Sequence, residues 1–360
     1  MMRKKILVAP LDWGLGHATR CIPVIRELIN AGHEVLIAAD GQPADLLRAE
    51  FPELKMIFLP GYRLRYSGIF PAWLKTFFLL PKIIYCMTRE HAALKKIIAE
   101  EKIDVVISDN RFGMWNKNIC AVYITHQVMI KCPKGLKLFE PLLHAIHLWV
   151  INKYNQCWIP DYAGEENLSG DLSHKFILPK NAQYINPLSR FTFEERKKNF
   201  TYDLCVIISG PEPARSSFEK KIFEALNGSE KNSIVILGRP ENKKDEQLRN
   251  VRIVSHLSSA EFKTVIAASK LIVCRSGYSG IMDLVAMKKD AVLVPTPGQT
   301  EQEYLAEYLS LKKIFGFVTE QNFSTKNIFD RGDYSVQNFA GKDPDRAALT
   351  AAIKDLIVCG

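Results

Sequence analysis

Short runs of β-branched and aliphatic residues recur along the chain, each followed by a longer amphipathic stretch, and this alternation leaves few folds open. In the first half the apolar runs fall at 6–10, 34–38, 55–59, 104–109, 121–125, 156–159 and 175–178. In the second half they fall at 203–209, 233–237, 251–254, 271–274 and 291–295. Helical patterns lie between them, including 17–31, 43–50 and a long one over 73–101. Strands alternating with helices in this way build βα units and therefore parallel sheets. The expected fold class is α/β, with two Rossmann-like doubly wound parallel-sheet domains whose strand C-termini face a cleft, the place where such folds bind ligands.

Between 186 and 200 the sequence turns polar and basic, with Pro187, Arg190 and the run Glu194-Glu195-Arg196-Lys197-Lys198. That composition suits a surface connector. The expected domains are therefore 1–186, a linker at 187–200, and 201–338, with a C-terminal helix at 339–360 packing back on the first domain.

The formal net charge of +9 favours phosphates, anionic lipid surfaces or nucleic acid as partners without choosing among them. Nucleic acid ranks last, because the basic residues are dispersed and no nucleic-acid motif is present. The eight cysteines stand singly, with no Cys-x-x-Cys pair, which argues against a metal site or a disulfide framework and for a reducing, cytoplasmic setting. Asp12 interrupts the first apolar run before a secretory signal could form. The best candidate for a membrane span, 77–87, is broken by Pro81-Lys82 and falls short of the ~20 residues needed. A chain of this kind can touch a membrane, as a peripheral protein on its inner face, without crossing it.

The turn Asp12-Trp13-Gly14-Leu15-Gly16-His17 lies between the first strand and the first helix. Gly14 and Gly16 let the backbone turn tightly, either for geometry alone or so that a ligand can approach the free N–H groups of the helix start. The turn is not the full dinucleotide fingerprint, since Arg20 stands where a third Gly or Ala is expected. A histidine has an intrinsic pKa near neutrality, so His17 can take a proton from a hydroxyl, provided a partner orients it. Asp109 ends a parallel strand and emerges on the same edge, either as that partner or as a brace for the loop 110–113. His126, after the strand at 121–125, either faces the same edge with Gln127 or bonds a loop carbonyl.

In the second half, Val273-Cys274-Arg275-Ser276-Gly277-Tyr278-Ser279-Gly280-Ile281-Met282-Asp283 runs from a strand through a small turn into a helix. Outward N–H groups at Ser276, Gly277, Ser279 and Gly280 make an anion site suited to a diphosphate. Asp283 either accepts hydrogen bonds from ribose hydroxyls or serves as an ordinary acid of the first helical turns. Gln299, Gln302 and Glu303 follow another strand, and amide groups that both donate and accept suit sugar hydroxyls. Arg215 follows the strand at 203–209 and either pairs with phosphate or lies in solvent.

The run from Arg275 through Asp283, followed by Pro295 and Gln302-Glu303, resembles the donor-binding half of glycosyltransferase family 28, the peptidoglycan N-acetylglucosaminyltransferase and monogalactosyldiacylglycerol synthase type. The resemblance is strongest over 252–309. It implies the GT-B fold, an inverting displacement, a UDP-sugar donor held by the second domain, and no required metal or other cofactor. It further implies Asp283 at the ribose, Gln302 at the donor sugar with Glu303 in place of the family's second Gln, and Leu257 beside the base. Gly14-Leu15-Gly16-His17 is similar to the family's Gly-rich loop with its candidate base, and the first domain becomes the acceptor side. There the segment 61–80, with Tyr62, Arg65 and Trp73, mixes aromatic and basic residues as a lipid interface would, and equally as a helix packed on a sheet would. The expected acceptor is a glycan or a lipid-linked cell-envelope molecule. A nucleotide-sugar hydrolase of the nonulosonic acid pathway type and a non-catalytic nucleotide-sugar-binding protein are the alternatives.

Overall fold

The computed structural model describes residues 3–62, 72–191, 200–239, 242–330, 332–339 and 345–356, and for 72–80 and 134 the backbone alone. The chain forms two compact units, Met1–Arg190 with Lys342–Gly360, and Phe191–Gly341.

The first unit is built on a parallel sheet of β1 (Lys5–Pro10), β2 (Glu34–Ala39), β3 (Lys55–Phe58), β4 (Val105–Asp109), β5 (Cys120–Ile124), β6 (Gln156–Ile159) and β7 (Ala182–Tyr184). Their order is β3-β2-β1-β4-β5-β6-β7. Strands β4 and β5 are buried along their whole length, which is why they read as unbroken apolar runs and not as alternations. The helices are α1 (Leu15–Asn30), α2 (Gly41–Glu50), α3 (Ala72–Glu101), α4 (Glu140–Ile151) and the short α5 (Asp171–His174). Leu94 and Ile97 of α3 share a core with Val150 and Ile151 of α4.

One expected strand is displaced. Residues 175–178 are irregular, with Ile177 almost fully exposed, and the edge of the sheet is completed instead by β7, where Cys157 pairs with Ala182. Lys175 is drawn into an ion pair with Glu140 of α4 at 2.9 Å, and Pro179 follows, so the apolar look of the run does not become a ladder.

The second unit repeats the winding. Its strands are β8 (Tyr202–Ile207), β9 (Ser233–Ile236), β10 (Asp245–Leu248), β11 (Val251–Val254), β12 (Ser269–Cys274), β13 (Ala291–Leu293) and β14 (Gly316–Phe317). The order is β10-β11-β9-β8-β12-β13-β14, with only β10 antiparallel to its neighbour. Strand β10 was not expected, because its residues are exposed and polar except for Leu248. The helices are α6 (Ala214–Leu226), α7 (Ser259–Ala267), α8 (Tyr278–Ala286), α9 (Thr300–Leu311) and α10 (Thr325–Phe329). Helix α7 starts at a capping box, in which Ser258 accepts from the Glu261 N–H and the Glu261 carboxylate accepts from the Ser258 N–H.

The last helix, α11 (Ala347–Asp355), belongs to the first unit. Arg346 pairs with Glu27 of α1 at 3.0 Å and the Thr350 hydroxyl donates to the same carboxylate.

In both sheets the direction of strand succession reverses beside the first strand of the unit, between β1 and β4 and between β8 and β12. Adjacent βα loops leave in opposite directions at such a point and open a crevice at the strand C-termini.

Candidate active site

The crevice of the first unit lies at the ends of β1 and β4, where Pro10 pairs in register with Asp109. Gly14 has φ of 90°, a backbone state that disfavours any residue with a Cβ, and it caps α1 without a side chain. No acid stands in the first turn of α1, so its N-terminal N–H groups and partial positive charge are not offset from within the helix. Asp12 accepts from the Tyr62 N–H at 2.9 Å, and a Cβ on Gly61 would lie 2.1 Å from its carboxylate, so Gly61 is required for the close approach.

His17 stands in the first turn of α1 with 14% of its side chain exposed, and its Nδ1 lies 2.9 Å from Asp109 Oδ1. Asp109 itself is fully buried. The residue that unites the group is Arg20, which in the sequence stands out only as a departure from a fingerprint. Its Nε donates to Asp109 Oδ2 and its Nη2 to Asp109 Oδ1, while Nη1 donates to His126 Nδ1 at 2.9 Å. The Cys21 thiol lies 3.7 Å from Asp109 Oδ2. His17, Arg20 and Cys21 are three or four residues apart or adjacent on α1, so one helical face presents them to the end of β4.

The electrostatics follow from this packing. Burial opposes ionisation of Asp109, but Arg20 and His17 outweigh it and hold the carboxyl down at about 2. Burial and the Arg20 charge lower the proton affinity of His17 below the ordinary value near 6.5, against the pull of Asp109. Burial pushes the Cys21 thiol well up. A neutral imidazole beside an ionised carboxylate is a base held ready near neutral pH.

Other first-unit residues are placed as follows. His126 is buried against Arg20, and the Gln127 N–H bonds the Thr125 hydroxyl at 3.1 Å. Tyr62 is buried rather than displayed, and its hydroxyl donates to Glu90 Oε2 at 2.7 Å. Glu90 also accepts from Arg111 Nε at 2.6 Å and from the Gly113 N–H at 3.0 Å, a buried network invisible in the sequence pattern. Arg65 lies outside the described residues, and Trp73 lies on α3 with only its backbone described.

An exposed apolar stripe runs along α4 instead. Leu142, Ile146 and Trp149, spaced four and three apart on one face, stand about half exposed, and Leu138 and Phe139 continue the surface on the preceding turn. Lys153 Nζ sits 4.6 Å from the centroid of the Trp149 ring. Between 110 and 160 the only acid is Glu140, itself buried and paired with Lys175, against Arg111, Lys117, Lys131, Lys134, Lys137 and Lys153. No helix among the described residues is long and apolar enough to cross a membrane.

In the second unit, α8 begins at the end of β12, and Gly277 caps it with no side-chain bond. A Cβ at Gly277 or Gly280 would meet nothing within 4 Å, so the backbone there borders open space. Ser276 is buried and its hydroxyl donates to the Gln302 carbonyl at 2.7 Å, tying α8 to α9. Ser279 and Asp283 are half-buried on α8, and Leu257 is half-buried after β11. Gln302 Oε1 accepts from the Thr296 N–H at 2.9 Å and Glu303 Oε1 from the Gly298 N–H at 2.8 Å, so both brace the turn that leads to Gln299.

Arg215, a candidate phosphate partner, and Arg275, in the run that resembles a donor-binding segment, are both engaged within the unit. Arg275 is buried, ion-paired with Glu320 at 2.9 Å, bonded to the carbonyls of Val294, Pro295 and Ala214, and stacked 4.0 Å from the Phe218 centroid. It is an internal cation, because a guanidinium at the root of a buried helix start needs a counter-charge. Arg215 pairs with Glu212 at 2.9 Å and donates to the Gly238 carbonyl. Among the described residues no group of three or more His, Cys, Asp or Glu is placed to hold a metal ion.

Comparison with known proteins agrees with this fold. The glycosyltransferase family 28 C-terminal domain matches residues 211–355, and glycosyl transferase family 1 matches residues 4–129. The chain is 26% identical over 325 residues to an uncharacterized glycosyltransferase of Methanosarcina acetivorans, covering 83% of this chain and 81% of that one. It is 28% identical over 87 residues to the UDP-N-acetylglucosamine--N-acetylmuramyl-(pentapeptide) pyrophosphoryl-undecaprenol N-acetylglucosamine transferase of Caldanaerobacter subterraneus subsp. tengcongensis, covering 24% of this chain and 23% of that one. The glycosyltransferase SnogD from Streptomyces nogalater, 13% identical, matches over all of both chains with a TM-score of 0.64. The protein is a glycosyltransferase with the GT-B fold. Within that class its second half is similar to the C-terminal domain of glycosyltransferase family 28.

Proposed function

We propose that this enzyme moves a hexose or N-acetylhexosamine from a UDP-sugar to an acceptor hydroxyl with inversion at the anomeric carbon. The observation that carries the reading is the 2.9 Å contact of His17 with Asp109 at the β1/β4 crevice. The acceptor oxygen attacks the anomeric carbon as the bond to the diphosphate oxygen breaks, and the hydroxyl proton passes to His17 Nε2. Asp109 orients the ring and stabilises the imidazolium that forms. The departing UDP takes the electron pair of the broken bond, and the N-terminus of α8, with Gly277, Ser279 and Gly280, offsets its charge without a metal. Asp283 is assigned to the ribose, Leu257 to the uracil, and Gln299, Gln302 and Glu303 to the sugar.

The acceptor is assigned to the first unit, on a glycan or lipid-linked cell-envelope molecule at the inner face of the membrane. The α4 stripe supports peripheral contact, since an apolar helix face beside lysines matches an anionic lipid surface. His126 and Gln127 are assigned to the acceptor side. The lipid-linked substrate in the name of the Caldanaerobacter relative supports the same acceptor class.

The test is a panel of UDP- and GDP-sugars, read first by thermal stabilisation and then by product NMR with and without acceptors. Stabilisation by uridine nucleotides, and transfer that His17→Ala abolishes while donor affinity stays within about twofold, are the expected results. No stabilisation by any uridine nucleotide would overturn the donor assignment, and rapid release of free sugar without acceptor would overturn transfer.

A further inference from the structure

Arg20 is 2% exposed and touches all three titratable groups proposed for the first-unit crevice or its acceptor side, His17, Asp109 and His126. We propose that Arg20 is a positioning residue that sets opposite tautomers on two histidines, placing the His17 proton on Nδ1 so that Nε2 is a base, and the His126 proton on Nε2. The consequence for catalysis rests on the transfer reading above, whereas the tautomers follow from the geometry alone.

A guanidinium can only donate. The 2.9 Å contact between Arg20 Nη1 and His126 Nδ1 is therefore a bond in which His126 Nδ1 accepts. A neutral His126 that accepts at Nδ1 carries its proton on Nε2. At His17 three atoms form a triangle, because Nδ1 is 2.9 Å both from Asp109 Oδ1 and from Arg20 Nη2. Arg20 Nη2 has the shorter approach to Asp109 Oδ1, and an ionised carboxylate is a stronger acceptor than a neutral imidazole nitrogen. Nη2 carries two protons, and one is held by Asp109 Oδ1. If His17 Nδ1 accepted the other, its lone pair would face those of the ionised Oδ1 at 2.9 Å with no proton between them, so Nδ1 carries a proton and donates it to the carboxylate. Had Nδ1 accepted from Arg20 instead, the His17 proton would sit on Nε2 and the ring could not act as a base there.

The charged and titratable groups that face His17 are Arg20 from α1, Asp109 from β4 and His126 after β5, while the Cys21 thiol faces Asp109. Arg20 and Asp109 together are formally neutral, so protonating His17 makes the cluster cationic. Removing the guanidinium charge is expected to move the acid limb of the rate profile upward by about one pH unit, the low end of the effect of one nearby charge. A residue that only filled space would leave both the limb and the tautomers where they were.

The experiment is long-range 1H–15N correlation NMR on the full chain with 15N-histidine, with His17→Gln and His126→Gln assigning the two rings. The wild type is expected to give the Nδ1–H form for His17 and the Nε2–H form for His126, with no substrate present. Arg20→Lys keeps the charge but offers a point donor in place of a fork, and is expected to lose the single tautomer of His126 and to lower kcat at least tenfold with KM nearly unchanged. Arg20→Gln tests the shift of the acid limb. The Nδ1–H form at wild-type His126, or the Nε2–H form at His17, overturns the proposal. So does an Arg20→Lys protein with both tautomers and kcat unchanged. The wild-type spectrum decides the matter even if the variants do not fold, and because it needs no substrate its failure is separable from failure of the transfer reading.

Discussion

Replacing Asp109 with asparagine tests the energetics of the crevice most directly. The carboxylate is fully buried and accepts from Arg20 through two nitrogens and from His17. Asparagine keeps the shape but removes the charge and turns one oxygen into an NH2 group facing a guanidinium. An uncompensated buried charge costs about 3–5 kcal/mol. The carboxyl titration gives an independent figure: its drop from 3.8 to about 2 corresponds to stability of about 2 kcal/mol, present above pH 3.8 and lost as pH falls toward 2. At about 2–4 °C per kcal/mol for a unit of this size, the melting temperature of the first unit should fall by about 10 °C. Transfer should fall at least about 100-fold, the scale of a disoriented general base. Thermal denaturation of the full chain and initial transfer rates supply both readings. Adding Arg20→Met should restore most of the stability, because a buried pair replaced by apolar groups is often neutral, yet leave transfer absent. An Asp109→Asn protein that melts within about 1 °C of the wild type, well inside the shift expected of a stranded charge, refutes the ion-pair reasoning. A double variant that melts no higher than the single one refutes charge as the cause.

Three further outcomes are expected. Burial holds His147 down at about 4 from its ordinary 6.5, so the unfolded chain takes the proton first. The first unit should therefore keep its full stability above pH 6.5 and lose up to about 3 kcal/mol of it as pH falls to about 4. His147→Phe should flatten a melting-temperature profile across that window, and an unchanged slope would count against the assignment. Glu320→Gln should lower the melting temperature of the second unit by about 10 °C by stranding the buried Arg275, while uridine nucleotide affinity of the folded protein is retained. A variant of wild-type stability that binds donor poorly would put Arg275 back at the donor. Leu142→Glu with Trp149→Glu should reduce sedimentation with vesicles containing phosphatidylserine by about tenfold or more, without changing transfer to a soluble acceptor analogue. Equal sedimentation of variant and wild type would remove α4 from the membrane reading.

Local order was legible in the sequence wherever it depends on neighbours within a turn or a pleat. The apolar runs predicted strands that became β1, β4, β8 and β12, and the Gly14 turn between strand and helix was expected before its φ of 90° was seen. Asp109 was placed beside His17 because residues that end adjacent parallel strands share an edge. The apolar run at 175–178 misled, since hydrophobic composition without a free ladder partner makes no strand, and the exposed β10 gave no periodic signal at all.

Partner choice for buried charges was decided only by the tertiary structure. Arg20 and Asp109 are 89 residues apart, Arg20 and His126 are 106 apart, and Glu90 and Arg111 come together from a helix and a loop. Arg275 opens the run that resembles a donor-binding segment, and folding brings Glu320 against it. A buried charge must find a counter-charge, and any of several side chains in the sequence would satisfy that demand. Strand order and the direction in which each helix crosses its sheet determine which of them arrives, and those are properties of the packed molecule that no local pattern encodes.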